Sequence, residues 1–350
     1  MTNIDCHSVA LVLETNNLRG TDDPTRVVES VARLLRHLRA QTCGLDQLGE
    51  VVITHDGLDI HAQVQLERAA DRSIRFEALP AGAGYYDAKN RGFDASTASI
   101  VVFADADCWP EPKWLEALTT PFADPAVMIV AGRTTYRDDV LGAAATAIDF
   151  MYFPTPLGVS CTRNFYANNV AFRREVFSRF RYLPAEGIYR GHCQQLGFRL
   201  HDARVPVRFV PDARTIHRFP DSVREFVRLR LLRGADTVAI APLLARSALP
   251  APLAGFGSIP TAAPLGVLAA RAVFSALSVD HQDLSPARGM RRAACVAGVL
   301  GISLIDAAGV FARSTGLSDL GVHDGALTRD GLSYHGNVDS LGERISHLAS

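Results

Sequence analysis

The chain has no surplus of either charge. Its 36 lysines and arginines face 37 aspartates and glutamates, for a formal net charge of −1. No global field therefore draws it to nucleic acid, and no nucleic-acid partner is expected. Six cysteines (Cys6, Cys43, Cys108, Cys161, Cys193 and Cys295) are scattered without a Cys-x-x-Cys pair. That pattern argues against a zinc knot or a disulfide framework and fits a reducing compartment. The first residues lack a basic segment followed by an apolar core, so no secretory signal is expected and the expected location is the cytoplasm. There is no internal repeat. No Gly-rich, Lys/Arg-bearing phosphate loop follows the first apolar run, which disfavours a nucleotidyltransferase.

What the chain does have is an alternation of short apolar runs and amphipathic stretches. Strands are expected at 8–13, 50–54, 74–79, 99–103, 127–132 and 205–210, and a strand running into a helix over 164–177. Helices are expected at 25–40, 84–95, 112–118, 140–153 and 194–201. Alternation at this spacing predicts an α/β fold with a mostly parallel, Rossmann-like, doubly wound sheet. From about residue 221 the texture changes. Arg224, Arg228, Arg230 and Arg233 interleave with apolar residues, and 237–279 and 293–312 are rich in Ala, Leu, Val and Gly. Residues 293–312 are long enough to span a bilayer but carry Asp306, whose burial at a membrane centre costs about 2.5–3.5 kcal/mol. Packed or interfacial apolar helices are the expectation there. Three regions follow: an α/β domain over 1–235, an apolar helical region over 236–324, and a polar tail over 325–350.

The most informative feature is Ala104-Asp105-Ala106-Asp107, which closes the run Ser99-Ile-Val-Val-Phe103. Two carboxylates at the end of a buried strand sit at the carboxyl edge, where open α/β sheets bind ligands. Hard oxygen ligands there suit Mn²⁺ or Mg²⁺ holding phosphates. A plain strand-to-loop turn describes the same residues.

Taken in order, six segments resemble the family 2 glycosyltransferases of the GT-A fold. They are Val9–Asn17, Glu50–Gly57, Ala88-Lys-Asn-Arg-Gly92, Phe103–Asp107, Asn168–Arg174 and Pro211-Asp-Ala-Arg-Thr-Ile-His217. The resemblance covers roughly residues 8–235. It implies transfer of a sugar from a nucleotide-diphosphate donor, with inversion, to an acceptor that is a glycan, a lipid-linked group or a small molecule. It implies that Glu14 and Thr15 edge the base, although Glu14 stands where the family usually has proline. Asp56 would hydrogen-bond the base. Lys89, Asn90, Asp105 and Asn169 would lie at the nucleotide sugar, and Asp107 with His217 would ligate the metal. Blander readings stay open beside these: Asp56-Gly57 as a turn, Lys89 and Arg91 as a solvated helix face, His217 as a loop histidine. The basic stretch 224–233 reads as a solvated face, with contact to anionic lipid at the inner face of the membrane, or to the diphosphate, as alternatives.

One departure matters. The family carries Gly-Glu-Asp, two residues, then Leu-x-x-Arg-Leu, with the Asp as general base. Here the stretch is Gly191-His192-Cys193-Gln194-Gln195-Leu196-Gly197-Phe198-Arg199-Leu200, with no carboxylate at the base position. His192, whose unperturbed pKa of about 6.5 suits proton abstraction, Cys193, and Glu186 just upstream are the candidates. A non-catalytic nucleotide-sugar-binding or accessory protein is the alternative.

Overall fold

The computed structural model describes residues 5–15, 24–80, 83–184, 191–248, 259, 262–281 and 288–316. Asn16, Asn17, Glu186 and the tail 325–350 lie outside the described residues. One mixed sheet carries β1 (Val9–Glu14), β2 (Glu50–His55), β3 (Arg75–Ala78), β4 (Ile100–Asp105), β5 (Cys108–Pro110), β6 (Ile129–Thr135), β7 (Cys161–Thr162), β8 (Asn169–Arg173) and β9 (Val207–His217). The order is β3-β2-β1-β4-β8-β6-β9-β5, with β7 beside β9. The half formed by β3, β2, β1 and β4 is parallel throughout. The other half is mixed, because β8 runs antiparallel to both β4 and β6 while β9 returns parallel to β6.

Both sheet faces are covered, so strand residues alternate between two cores rather than between core and water. Val9, Leu11 and Leu13 pack on one side with α1 (Pro24–Arg39), α2 (Ile60–Ala70) and α4 (Trp114–Thr119). Ala10, Val12, Val101 and Phe103 pack on the other with α3 (Tyr85–Ala95), α6 (Arg174–Arg179) and α7 (His192–Asp202). The register sets Glu14 level with Thr54 on one side and Asp105 on the other. Three polar side chains thus end three adjacent strands at one edge.

Strand β9 runs through Pro211, where the sequence predicts a stop. The ladder with β6 shifts register there: Val210 pairs with Gly132, then Arg214 with Arg133. Pro211, with no N–H to give, falls in the looped-out residues of a bulge. Asn169 holds it: its Nδ2 donates to Ala213 O at 2.9 Å, and its Oδ1 accepts from Trp114 Nε1 at 2.8 Å. A Cβ on Gly132 would lie 2.3 Å from both Ala213 O and Asn169 Oδ1, so only glycine fits there.

Past the bulge, β9 enters α8 (Val223–Ala248), which crosses position 235 without a break; α9 (Ala262–Ser278) and α10 (Gly289–Ser314) follow. These helices pack with α5 (Val140–Asp149) on Tyr136, Phe219, Cys295, Val299 and Ile302. At the α8–α10 crossing, Cβ atoms on Gly234 and Gly309 would run into the backbone carbonyls of Asp306 and Leu231, so the helices touch main chain to main chain. The arginines read as a solvated face split in two. Arg224 is exposed, but Arg230 and Arg233 are buried. Arg230 donates through Nε to Asp306 Oδ1 at 2.7 Å and through a terminal nitrogen to Asp149 Oδ1 at 2.8 Å. Arg233 pairs with Asp149 and donates to Tyr136 OH at 3.0 Å, and Arg271 of α9 closes on Asp306. Arg230 and Arg233 are therefore committed to internal carboxylates, because a buried guanidinium is held by paired carboxylates rather than by water. By length and composition α10 could cross a membrane. Its Asp306 is fully buried, while Leu300, Leu304 and Phe311 are exposed.

Removing one partner of a buried ion pair costs about 3–5 kcal/mol. Asp306→Ala should therefore lower the urea-unfolding free energy by about 3 kcal/mol, whereas Asp71→Ala, which breaks the exposed Arg39–Asp71 pair, should change it by less than about 1 kcal/mol. Equal effects of the two substitutions would show that the buried cluster does not fasten the helices.

Candidate active site

The carboxyl edge of the parallel half is clipped together by side chains. Thr15 Oγ1 donates to Thr54 O at 2.8 Å. His55 Nδ1 accepts the Leu58 N–H at 3.1 Å, which places its proton on Nε2; burial lowers its pKa. Asp56 follows on the exposed turn closed by Gly57, whose φ is +87°. Glu14 is fully buried between the strand ends of β2 and β4.

Helix α3 delivers two side chains, one turn apart, onto Asp105. Lys89 Nζ donates to Asp105 Oδ1 at 2.5 Å, and Tyr85 OH donates to Oδ2 at 2.7 Å. Lys89 is fully buried and lies over the rings of Tyr85 and Phe103. It is not a solvated helix face; that description fits Arg91, which pairs with Asp87 in the open. Burial, then the Asp105 charge, push the Tyr85 pKa well above its ordinary value. Asp105 is thus neutralised from within. Asn90 points the other way, donating to Tyr182 O at 2.9 Å, and Asn169 spends its amide on the β9 bulge.

Asp107 is served differently. Among the described residues its nearly buried carboxylate meets no lysine or arginine within ion-pair distance; its side-chain neighbours there are the Cys108 thiol, 3.8 Å from Oδ1, and His217 Nε2, 3.7 Å from Oδ2. Strand β5 sets this up, because Cys108 stands opposite His217 in the antiparallel ladder with β9. His217 Nδ1 lies 2.8 Å from Arg218 O. A carbonyl only accepts, so Nδ1 carries a proton and Nε2 is the nitrogen turned to Asp107. Tyr136 and Phe150 bracket the ring at 5.7 and 5.8 Å. Ligand atoms of Asp107, Cys108 and His217 all lie within 4.8 Å of one another. A carboxylate that no lysine or arginine among the described residues neutralises, beside an imidazole whose Nε2 faces it, fits a divalent cation.

At the α7 end two of the candidate bases are buried. His192 opens the helix after Gly191, whose φ is +109°, and stacks on Tyr86 at 4.1 Å. Burial lowers its pKa from 6.5 to about 4, and its Nδ1 is buried without a hydrogen-bond partner among the described residues. The near-neutral basicity expected of His192 is lost with its hydration. Cys193 lies 3.6 Å from Tyr86 OH, and burial raises its pKa to about 11. Neither group is tuned as a base near pH 7.

Tyr85 and Tyr86, edge to face at 4.7 Å, join the Asp105 end to the His192 end. Sequence reading missed both, as it missed Cys108 and Tyr136. Tyr85 had a signal: it precedes Lys89 by four positions on an expected helix, so the two share a face.

Residues 26–180 match the family model for Glycosyl transferase family 2. Over this span, a little under half of the chain, the sequence is similar to that family. The Pre-mycofactocin glycosyltransferase of Mycobacterium tuberculosis is 24% identical over 220 residues, covering 61% of this chain and 46% of that protein. The chain thus spans about half the length of that relative. Glycosyltransferase AglE of Haloferax volcanii is 33% identical over 66 residues, 19% of this chain and 22% of AglE. Among solved structures, the mannosyltransferase PcManGT from Pyrobaculum calidifontis, in complex with GDP-Man and Mn²⁺, superposes with a TM-score of 0.55 at 17% identity, covering 87% of this chain and 86% of that one. The α/β domain here shares that GT-A fold.

The depressed His192 pKa has a signed consequence. Between pH 6.5 and about 4 the unfolded chain binds the proton that the folded imidazole refuses, so stability is full above pH 6.5 and falls as the pH drops through that window. His192→Phe keeps a ring on Tyr86 and removes the titration. Urea unfolding at pH 7 and pH 4 should show the wild type losing up to about 3 kcal/mol more than the variant. Parallel losses would contradict a neutral, buried His192.

Proposed function

We propose that the chain transfers a sugar from a nucleoside diphosphate donor to an acceptor hydroxyl, by single displacement with inversion, using a divalent cation such as Mn²⁺ or Mg²⁺. The observation that carries this reading is the placement of the Asp107 carboxylate against Nε2 of His217, with no lysine or arginine on it among the described residues. Asp107 and His217 would hold the cation. Bound there, it would stabilise the negative charge that develops on the leaving diphosphate. Glu14, Thr15 and Asp56, at adjoining strand ends, would border the nucleoside. Lys89 and Tyr85 would act through Asp105, fixing its carboxylate where the ribose is expected. The acceptor is a glycan, a lipid-linked group or a small molecule. The exposed apolar side of α9 and α10, with Leu265, Val273, Leu277, Leu300 and Leu304, supports a lipid-linked acceptor and a cytoplasmic protein resting on the inner face of the membrane.

The burial of His192 and Cys193 favours a second reading, a protein that binds the donor without ordinary transfer. A general base contributes about 10²–10⁴-fold, so a transferase lacking one is slow rather than inert. Incubation with UDP-, GDP- and TDP-sugars and Mn²⁺, following nucleotide release, separates the two. Release that Asp107→Ala lowers by about a hundredfold or more supports the transferase. Donor binding by the wild type with no release leaves the binding protein.

A further inference from the structure

We propose that Cys108 is a third protein ligand to the cation, through its sulfur, so that the site is a mixed carboxylate, thiolate and imidazole centre rather than an all-oxygen one. The proposal rests on the reading above that Asp107 and His217 hold a divalent ion.

Three observations place the sulfur in the site. Cys108 is the ladder partner of His217, so backbone hydrogen bonding, and not a flexible loop, sets the two side by side. Its Sγ is buried, 3.8 Å from Asp107 Oδ1, and one ligand atom from each of the three residues lies within a common 4.8 Å. The sulfur is also supplied with a donor. Asn168 Oδ1 accepts from Thr134 Oγ1 at 3.1 Å, and the Asn168 side chain is a hydrogen-bond neighbour of the Cys108 thiol, whose pKa burial and then the Asp107 and Asp105 charges push well above its ordinary value. An amide beside the sulfur is the kind of outer support that offsets part of the charge cost once a metal ion draws the thiol proton off. The arrangement accounts for Asn168, which no step of the proposed transfer uses, and for a cysteine buried beside two polar groups rather than among apolar ones.

The binding step balances without any oxidant. The ion exchanges water for Sγ, the thiol proton leaves to solvent, and no electron is transferred. The consequence is metal preference. Mg²⁺ demands near-octahedral oxygen ligands and gives up water reluctantly. A set holding sulfur and imidazole suits Co²⁺ and Zn²⁺ ahead of Mn²⁺, and Mn²⁺ ahead of Mg²⁺. Of the two ions expected from the sequence, Mn²⁺ is then the better occupant.

The test uses Co²⁺ alone, titrated into the full chain and followed by ultraviolet–visible absorption and calorimetry. The wild type should develop a sulfur-to-cobalt charge-transfer band that saturates at one equivalent. Cys108→Ser should bind Co²⁺ about tenfold or more weakly, and without the band. Cys193→Ser, which alters another buried thiol, should keep it. Asn168→Ala should keep the band and lose about 10–100-fold in affinity, which guards against a Cys108 variant that fails to fold. Co²⁺ binding without the band, or a band that persists in a folded Cys108→Ser, overturns sulfur ligation and leaves the Asp107–His217 site standing. No Co²⁺ binding by the wild type overturns the cation site itself, and this proposal with it.

Discussion

The pairing of β5 with β9 is the constraint on which the candidate site depends. Three ladder pairs, Cys108 with His217, Trp109 with Ile216 and Pro110 with Thr215, carry a histidine from the far end of the domain to the turn after β4. Without them Asp107 would be a buried carboxylate beside a thiol, with no basic group near. The pairing needs β9 to reach that position, and it does so only because a bulge at Pro211 resets its register against β6. The Asn169 amide, the Trp114 indole and the missing side chain of Gly132 hold that bulge. Residues with no polar group in the site therefore decide its geometry.

The two aspartates of the Asp105-Ala-Asp107 run divide their work by environment. Asp105 ends a strand and receives a buried lysine and a tyrosine hydroxyl, both from α3. Asp107 lies past the strand end and receives neither. One carboxylate is thereby an internal anchor and the other is left to attract charge, the sort of division that marks functional sites. The same accounting holds where α5 meets the C-terminal helices, with Asp149 and Asp306 matched by Arg230, Arg233 and Arg271. That cluster reaches the site: Arg233 hydrogen-bonds Tyr136, and Tyr136 packs edge-on against His217. The apolar helices are thus part of the body that positions His217, which explains why α8 crosses position 235 without interruption.

Much of the parallel half was legible in the sequence because its strands are short, apolar and separated by amphipathic helices. The Asp105–Asp107 edge followed from the same pattern. What was not legible arises from long-range pairing. Strand β5 is three residues long and contains a proline, so no period marks it. The continuation of β9 beyond Pro211 depends on a bulge that only its neighbours create. The burial of Arg230 and Arg233 could not be read from a stretch that looks amphipathic, because their partners sit on α5 and α10. Nor could the sequence tell that His192 would stack on Tyr86 and lose its basicity.

The central claim is that Asp107 and His217 are brought together to hold the cation of a nucleotide-sugar site. Crystals soaked with Mn²⁺ and UDP or GDP, measured for manganese anomalous scattering, test it most directly. The account predicts one anomalous peak in coordination contact with Asp107 and His217 Nε2, with the diphosphate on its open side. A diphosphate seated at the strand ends while the manganese lies elsewhere, or a His217 ring turned out of reach of the ion, would contradict it.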